Sequence, residues 1–154
     1  MRLQGKTALV TGGTDGIGAQ LIRQLKDKGV TVITSGRDPA RVEATRAEGF
    51  EVIQADLSTP SGVTALVEAV KGRAIDILVN NAGSGADHDF REGSPDLAAA
   101  DACVFLNLNA PIHLIAGLMP MLRSRPEAMI VNVTSGLAIA PPWSRNRPRS
   151  SPAP

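Results

Sequence analysis

Residues suited to cradling a phosphate stand near the start of the chain, as Thr11-Gly12-Gly13-Thr14-Asp15-Gly16-Ile17-Gly18. Glycines here allow a tight turn and a close backbone approach, and a helix opening at once points its N–H groups at an anion. The spacing is Gly-x3-Gly-x-Gly rather than Gly-x-Gly-x-x-Gly, and ordinary strand-to-helix turns also use glycine. Further along come Ser35-Gly36-Arg37. A carboxylate at that point would take the ribose diol of NAD, whereas an arginine suits a 2′-phosphate, so Arg37 points to NADP over NAD. The alternative is a solvated surface arginine, and Asp15 sets negative charge near the same place. Asp56-Leu57 offers a carboxylate that either accepts from an adenine amino group or caps a turn. Asn80-Asn81-Ala82-Gly83 completes the series.

These groups need a frame that brings them together, and the hydrophobic pattern supplies one. Short apolar runs at Thr7–Thr11, Thr31–Thr34, Glu51–Gln54, Ile75–Val79 and Met129–Val133 read as buried strands. Between them, helical spacing predicts helices over Ile17–Lys28, Pro39–Glu48 and Pro60–Lys71, the last capped by Ser58 or Thr59. Pro95–Leu122 reads as one long or broken helix. Five alternations predict an α/β fold, a Rossmann-like doubly wound parallel sheet that stops after about its fifth strand. In such sheets ligands lie beyond the carboxyl ends of the strands near the switch point, which is where the four motifs fall.

Composition bounds the rest. The 154 residues are 43% hydrophobic and 20% charged, enough for one domain with a real core. The formal charge of +1 argues against nucleic-acid and membrane partners. Cys103 is the single cysteine, which suits a reducing, cytoplasmic setting. The stretch from Ala102 to Leu122 is the most membrane-like, but its two asparagines, histidine and two prolines favour a buried or half-buried helix of a soluble protein. Asp87, His88 and Asp89 are adjacent in a polar loop and are not expected to converge on a metal; none is assigned. Residues 141–154, PPWSRNRPRSSPAP, hold five of the 11 prolines and read as a disordered tail. The predicted domain is therefore residues 1–140, with a net charge of −2.

Taken in order, the Thr11–Gly18 turn, Asp56 and Asn80-Asn81-Ala82-Gly83 resemble the short-chain dehydrogenase/reductase family. So do Asn107 in Asn107-Leu108-Asn109-Ala110 and Ile130-Val131-Asn132-Val133-Thr134-Ser135. The resemblance covers residues 1–140. It implies hydride transfer between a nicotinamide cofactor and a small-molecule carbonyl or alcohol. By that resemblance Gly12, Thr14, Asp15, Gly16, Ile17, Gly18, Arg37, Asp56, Leu57, Asn81, Ala82 and Gly83 would hold the cofactor. Ser135 would position the substrate oxygen and Asn107 would hold a relay water. Each also has a plainer reading, a strand-end hydroxyl for Ser135 and a helix amide capping a backbone group for Asn107.

The family's Tyr-x-x-x-Lys would fall on Pro148 and Pro152, and the chain has no tyrosine. The resemblance stops together with the apolar pattern after Ala140. A frameshift followed by an early stop accounts for this best; a genuine short variant is the alternative. Stand-alone catalysis is therefore not expected. A non-catalytic dinucleotide-binding or interaction module is the competing function, and a nucleic-acid role for the tail arginines is the weakest. With nothing to cover it, the face of Ile130, Val131 and Val133 is expected to be exposed. The helix around Leu114, Ile115, Leu118 and Met119 is expected to lack partners too, and self-association or a homo-oligomer should follow.

Overall fold

A computed structural model describes residues 1–85 and 97–135. In chain order the elements are β1 (Thr7–Thr11), α1 (Gly16–Asp27), β2 (Thr31–Gly36), α2 (Pro39–Ala47), β3 (Glu51–Gln54), α3 (Pro60–Ala69) and β4 (Ile77–Asn80). There follow α4 (Leu97–Val104), a π-helical segment (Phe105–Asn109), α5 (Ala110–Arg123) and β5 (Met129–Asn132). The strands form one parallel sheet in the order β3-β2-β1-β4-β5. The chain winds outward from β1 to β3, returns to the other side of β1 for β4, and so makes its switch point between β1 and β4. That is the doubly wound architecture the alternating pattern predicts.

Strand periodicity divides the core in two. Ala8 and Val10 of β1 face a cluster with Ile22, Leu25, Val32, Val42 and Phe50, under α1 and α2. Leu9 points the other way, into a cluster with Ile33, Leu66, Leu78, Leu114 and Leu118, under α3 and α5. Strands buried on both faces need apolar side chains at successive positions, which explains their unbroken runs of Val, Ile and Leu. Side-chain caps set the helix starts, and α1, α2 and α3 end at Asp27, Ala47 and Ala69, one or two residues before the expected Lys28, Glu48 and Lys71. Asp15 caps α1, Asp38 caps α2 with Pro39 inside the first turn, and Thr59, rather than Ser58, caps α3 by accepting from Gly62 N–H.

Three expectations are corrected. The fourth strand begins at Ile77, not Ile75, because Asp76 uses its side chain to join strands rather than to fill the core. Leu114 and Leu118 do not lack partners; they are among the most deeply buried side chains, because α5 packs on α3 with Gly117 set against Val67. Val131 is half-buried against the α1/α2 cluster, while Met129, Ile130 and Val133 remain exposed. The outward apolar stripe of the long helix is made instead by Leu97, Val104, Leu108 and Ile112, each more than half exposed.

That helix, from Leu97 to Arg123, is long and apolar enough by length and composition to cross a membrane. Here Leu106, Ala110, Leu114, Leu118 and Leu122 fill one side of the core. The helix is broken in register but not in direction. Pro111 has no N–H to give the carbonyl of Asn107, and Ala110 N–H reaches back five residues to Phe105 O. The Asp87–His88–Asp89 segment and the Pro/Arg/Ser-rich stretch 141–154 lie outside the described residues.

Candidate functional site

Thr11 is the hub of the switch point. Its hydroxyl donates to Val79 O (3.3 Å) and accepts from both Asn81 N–H and Ala82 N–H (3.0 Å each). The Asn81 amide returns the connection, donating to Thr11 O at 2.9 Å and Gly12 O at 3.3 Å. The loops after β1 and β4 are thereby locked edge to edge. Gly12 has φ +69°, and a Cβ there would lie 2.9 Å from Ala82 Cα. Only glycine fits that crossing.

The next turn is held from the other side. Thr34 on β2 donates to Val10 O (2.6 Å) and accepts from Gly13 N–H (3.1 Å), pinning the glycine loop to the neighbouring strand. At Gly18 a Cβ would sit 2.2 Å from Gly12 O, so the first turn of α1 lies directly on the loop. Asp15 Oδ1 accepts from Gly16 N–H at 2.8 Å, while the N–H groups of Ile17 and Gly18 have no acceptor within the helix. They face the place where an anion is favoured.

Above these loops, at the carboxyl edge of the sheet, opens a cavity of about 440 Å³. Gly12, Thr14, Asp15, Gly16, Ile17, Gly18, Arg37, Asp56, Leu57, Asn81, Ala82 and Gly83 all line it. Arg37 stands just past β2, and Asp38 is engaged at the start of α2, where its Oδ1 accepts from Arg41 N–H at 2.9 Å. Asp56 Oδ1 accepts from the Ser58 hydroxyl at 2.7 Å and from Ser58 N–H at 3.0 Å. The Ser58 hydroxyl, then its N–H and the nearby Arg37 charge, hold the Asp56 carboxyl below the usual range against the opposing effect of burial. It is therefore an ionised acceptor at the cavity wall.

Asn107 and Ser135 are placed differently. Neither is among the residues lining the cavity. The Asn107 amide clamps the backbone of Ser84, its Nδ2 donating to Ser84 O (2.8 Å) and its Oδ1 accepting from Ser84 N–H (3.2 Å). Cys103, one turn earlier, donates to the same carbonyl at 3.2 Å. Ser135 lies exposed beyond β5.

Several lining residues carried no clear sequence signal. Arg41 sits in the first turn of α2 and bonds to Asp15. Ser35 is almost wholly buried, lines the cavity and has no hydrogen-bond partner for its hydroxyl among the described residues. Leu106 and Val133 close the far wall. The residues following β1 to β4 were legible as cavity positions; Val133 after β5 and a basic residue one turn into α2 were not.

Comparison with known proteins agrees with this frame. The model of the short chain dehydrogenase family matches residues 6–145. The chain is 39% identical over 145 residues to the uncharacterized oxidoreductase DltE of Bacillus subtilis, covering 92% of this chain and 58% of the relative. Among solved structures, an L-sorbose reductase from Gluconobacter frateurii, complexed with NADPH and L-sorbose, superposes with a TM-score of 0.79 at 32% identity. That match covers 93% of this chain and 58% of the reductase. A short-chain dehydrogenase from Sphingobium yanoikuyae in complex with NADPH gives 0.78 at 30% identity, covering 88% of this chain and 56% of its own. A doubly wound parallel sheet with a glycine-rich turn at its switch point defines a Rossmann-like nucleotide-binding fold. The chain belongs to the short-chain dehydrogenase/reductase family, and it spans somewhat over half the length of these relatives.

Proposed function

We propose that the chain supplies the NADP-binding part of an oxidoreductase that interconverts a carbonyl and an alcohol. The observation that carries this reading is the charge beyond β2. Arg37 lines the cavity there, and the first carboxylate after it, Asp38, is already occupied in capping α2. The residues suit a dinucleotide in other respects. Unengaged helix N–H groups face the cavity for a pyrophosphate, and Asp56 is an ionised acceptor for an exocyclic amine. The two neighbours solved with NADPH support the same choice.

When bound, the nicotinamide would supply or take the hydride. The chain's residues bind and orient it: Gly12 and Gly18 keep the loop thin, Arg37 neutralises the 2′-phosphate, and Ala82 and Gly83 form the wall nearest β4. Asn107 acts in this reading by fixing Ser84 at that wall, and it would hold a relay water there. Ser135 would meet the substrate oxygen. A single free cysteine suits a reducing, cytoplasmic setting.

Titration calorimetry of the chain with NADPH and NADH tests the cofactor. NADPH should bind more tightly, and Arg37→Ala should weaken NADPH by about 1.5–3 kcal/mol, roughly 10–150-fold, while leaving NADH unchanged. Equal binding of the two cofactors by the unaltered chain would sink the NADP assignment.

Self-association belongs to the same proposal. Leu108 and Ile112 are 57% and 55% exposed on one helix face, and Met129 and Ile130 are 41% and 37% exposed on the sheet's edge strand. Because each is about half exposed, covering such a side chain is worth about 0.7–1.5 kcal/mol, roughly half the value for full burial. Sedimentation should show a mass that rises with concentration, and Leu108→Lys with Ile112→Lys should reduce it. A monomer at every concentration would refute this.

A further inference from the structure

We propose that Arg41 is a second cation of the 2′-phosphate subsite, and that Asp15 sets the subsite's strength by holding Arg41 when no phosphate is present. The inference rests on the reading of the cavity as an NADP site and goes beyond it, by assigning two residues whose pairing controls selectivity.

Arg41 and Asp15 line the cavity together with Arg37. Arg41 Nη1 donates to Asp15 Oδ2, joining the first turn of α2 to the cap of α1. The two side chains are 57% and 67% exposed. An exposed ion pair is worth little in water, so its arginine is readily surrendered to a stronger acceptor. A phosphate monoester carries more charge than a carboxylate and offers three acceptor oxygens, and it is met well by a guanidinium fork. Asp15 does not need Arg41 for its other task, because its second oxygen caps Gly16 N–H at 2.8 Å. The remaining charged groups lining the cavity are Asp38 and Asp56. Asp38 accepts from the Arg41 main-chain N–H, and Asp56 accepts from Ser58, so neither competes for the Arg41 guanidinium. The exchange therefore has one donor, one resident acceptor and one incoming acceptor. Asp15 is a positioning residue in this scheme and acts on the ligand through Arg41.

The test is calorimetry on the chain with adenosine 2′,5′-bisphosphate and with 5′-AMP, which differ only in the 2′-phosphate. Arg41→Gln should weaken the bisphosphate about 3–10-fold and leave 5′-AMP unchanged. Asp15→Asn keeps a good N-cap, so the fold should be retained, and it should tighten the bisphosphate by a similar factor. In the Arg41→Gln background that gain should fall below about twofold. A gain that survives there would mean that Asp15 acts on the phosphate directly, and it would overturn the exchange. If the unaltered chain prefers the bisphosphate and loses that preference in Arg37→Ala, yet both new variants bind like the parent, only this inference fails. If the unaltered chain binds the two ligands alike, or neither, the NADP reading fails and takes this one with it. Unchanged melting temperatures would show that the variants report binding rather than folding.

Discussion

Asp76→Ala should lower the stability of the chain by about 2–4 kcal/mol, roughly 4–16 °C in melting temperature. Asp76 is 1% exposed at the amino edge of the sheet. One carboxylate oxygen accepts from Thr7 N–H at 2.9 Å, and the other accepts from Arg125 Nε at 2.8 Å, with Lys6 nearby at 3.9 Å. Its backbone bonds to Thr7 O on one side and to Met129 N–H on the other, both at 2.9 Å. One residue thus joins the starts of β1 and β5 to β4. Removing the carboxylate leaves the half-buried Thr7 amide without that acceptor, whereas Arg125 can still turn to water, so the loss stays below that of a fully buried pair.

The pH dependence follows from the same contacts. Burial pushes the Asp76 carboxyl up, but the Thr7 N–H, Arg125 and Lys6 together outweigh it and hold the folded-state pKa below the ordinary 3.8. A depressed carboxylate contributes stability that is fully present above its unfolded pKa and is lost as pH falls through the folded value. The melting temperature should therefore drop in acid below about pH 4, and the drop should be smaller in Asp76→Asn. Thermal melts across that range decide it; a variant as stable as the parent at neutral pH would show that the cluster contributes nothing.

The same residue marks the limit of what the sequence reveals. Ile75-Asp76-Ile77-Leu78-Val79 looks like a strand with one polar interruption, and apolar periodicity alone cannot distinguish a tolerated aspartate from the tie between three strands. The fold class was legible because five apolar strand runs alternate with helical spacing; of the caps, Thr59 was offered by the sequence, while Asp15 and Asp38 emerged only in the structure. The outward face of the long helix was not. From Ala102 to Leu122 apolar residues occur on nearly every side, so the pattern establishes burial without choosing the buried face. Packing of α5 on α3 made the choice, drawing in Leu114 and Leu118 and leaving Leu108 and Ile112 outside. Cavity-lining positions were legible at the ends of β1 to β4, whereas beyond β5 Val133 lines the cavity and Ser135 does not. Arg41 was not, since its role depends on how α2 crosses over the glycine turn.

Catalysis by these 154 residues should fall roughly 10²–10⁴-fold short of an enzyme with a positioned general acid, equivalent to about 2.7–5.5 kcal/mol of barrier. Hydride transfer to a carbonyl builds charge on oxygen, and a proton donor must meet it there. Among the described residues lining the cavity the titratable groups are Asp15, Asp38 and Asp56, with Arg37 and Arg41. The three carboxylates already accept hydrogen bonds, and the guanidiniums do not release protons at neutral pH. The chain contains no tyrosine, and the Asn107 amide is committed to Ser84. Binding and turnover should therefore separate. Calorimetry should record NADPH association while its absorbance stays at background with a panel of ketones, and the same should hold for NADP with alcohols. Oxidation above background that is abolished by Ser135→Ala would overturn the expectation and place a proton donor within reach of Ser135. Turnover unaffected by Ser135→Ala would instead remove Ser135 from the substrate site.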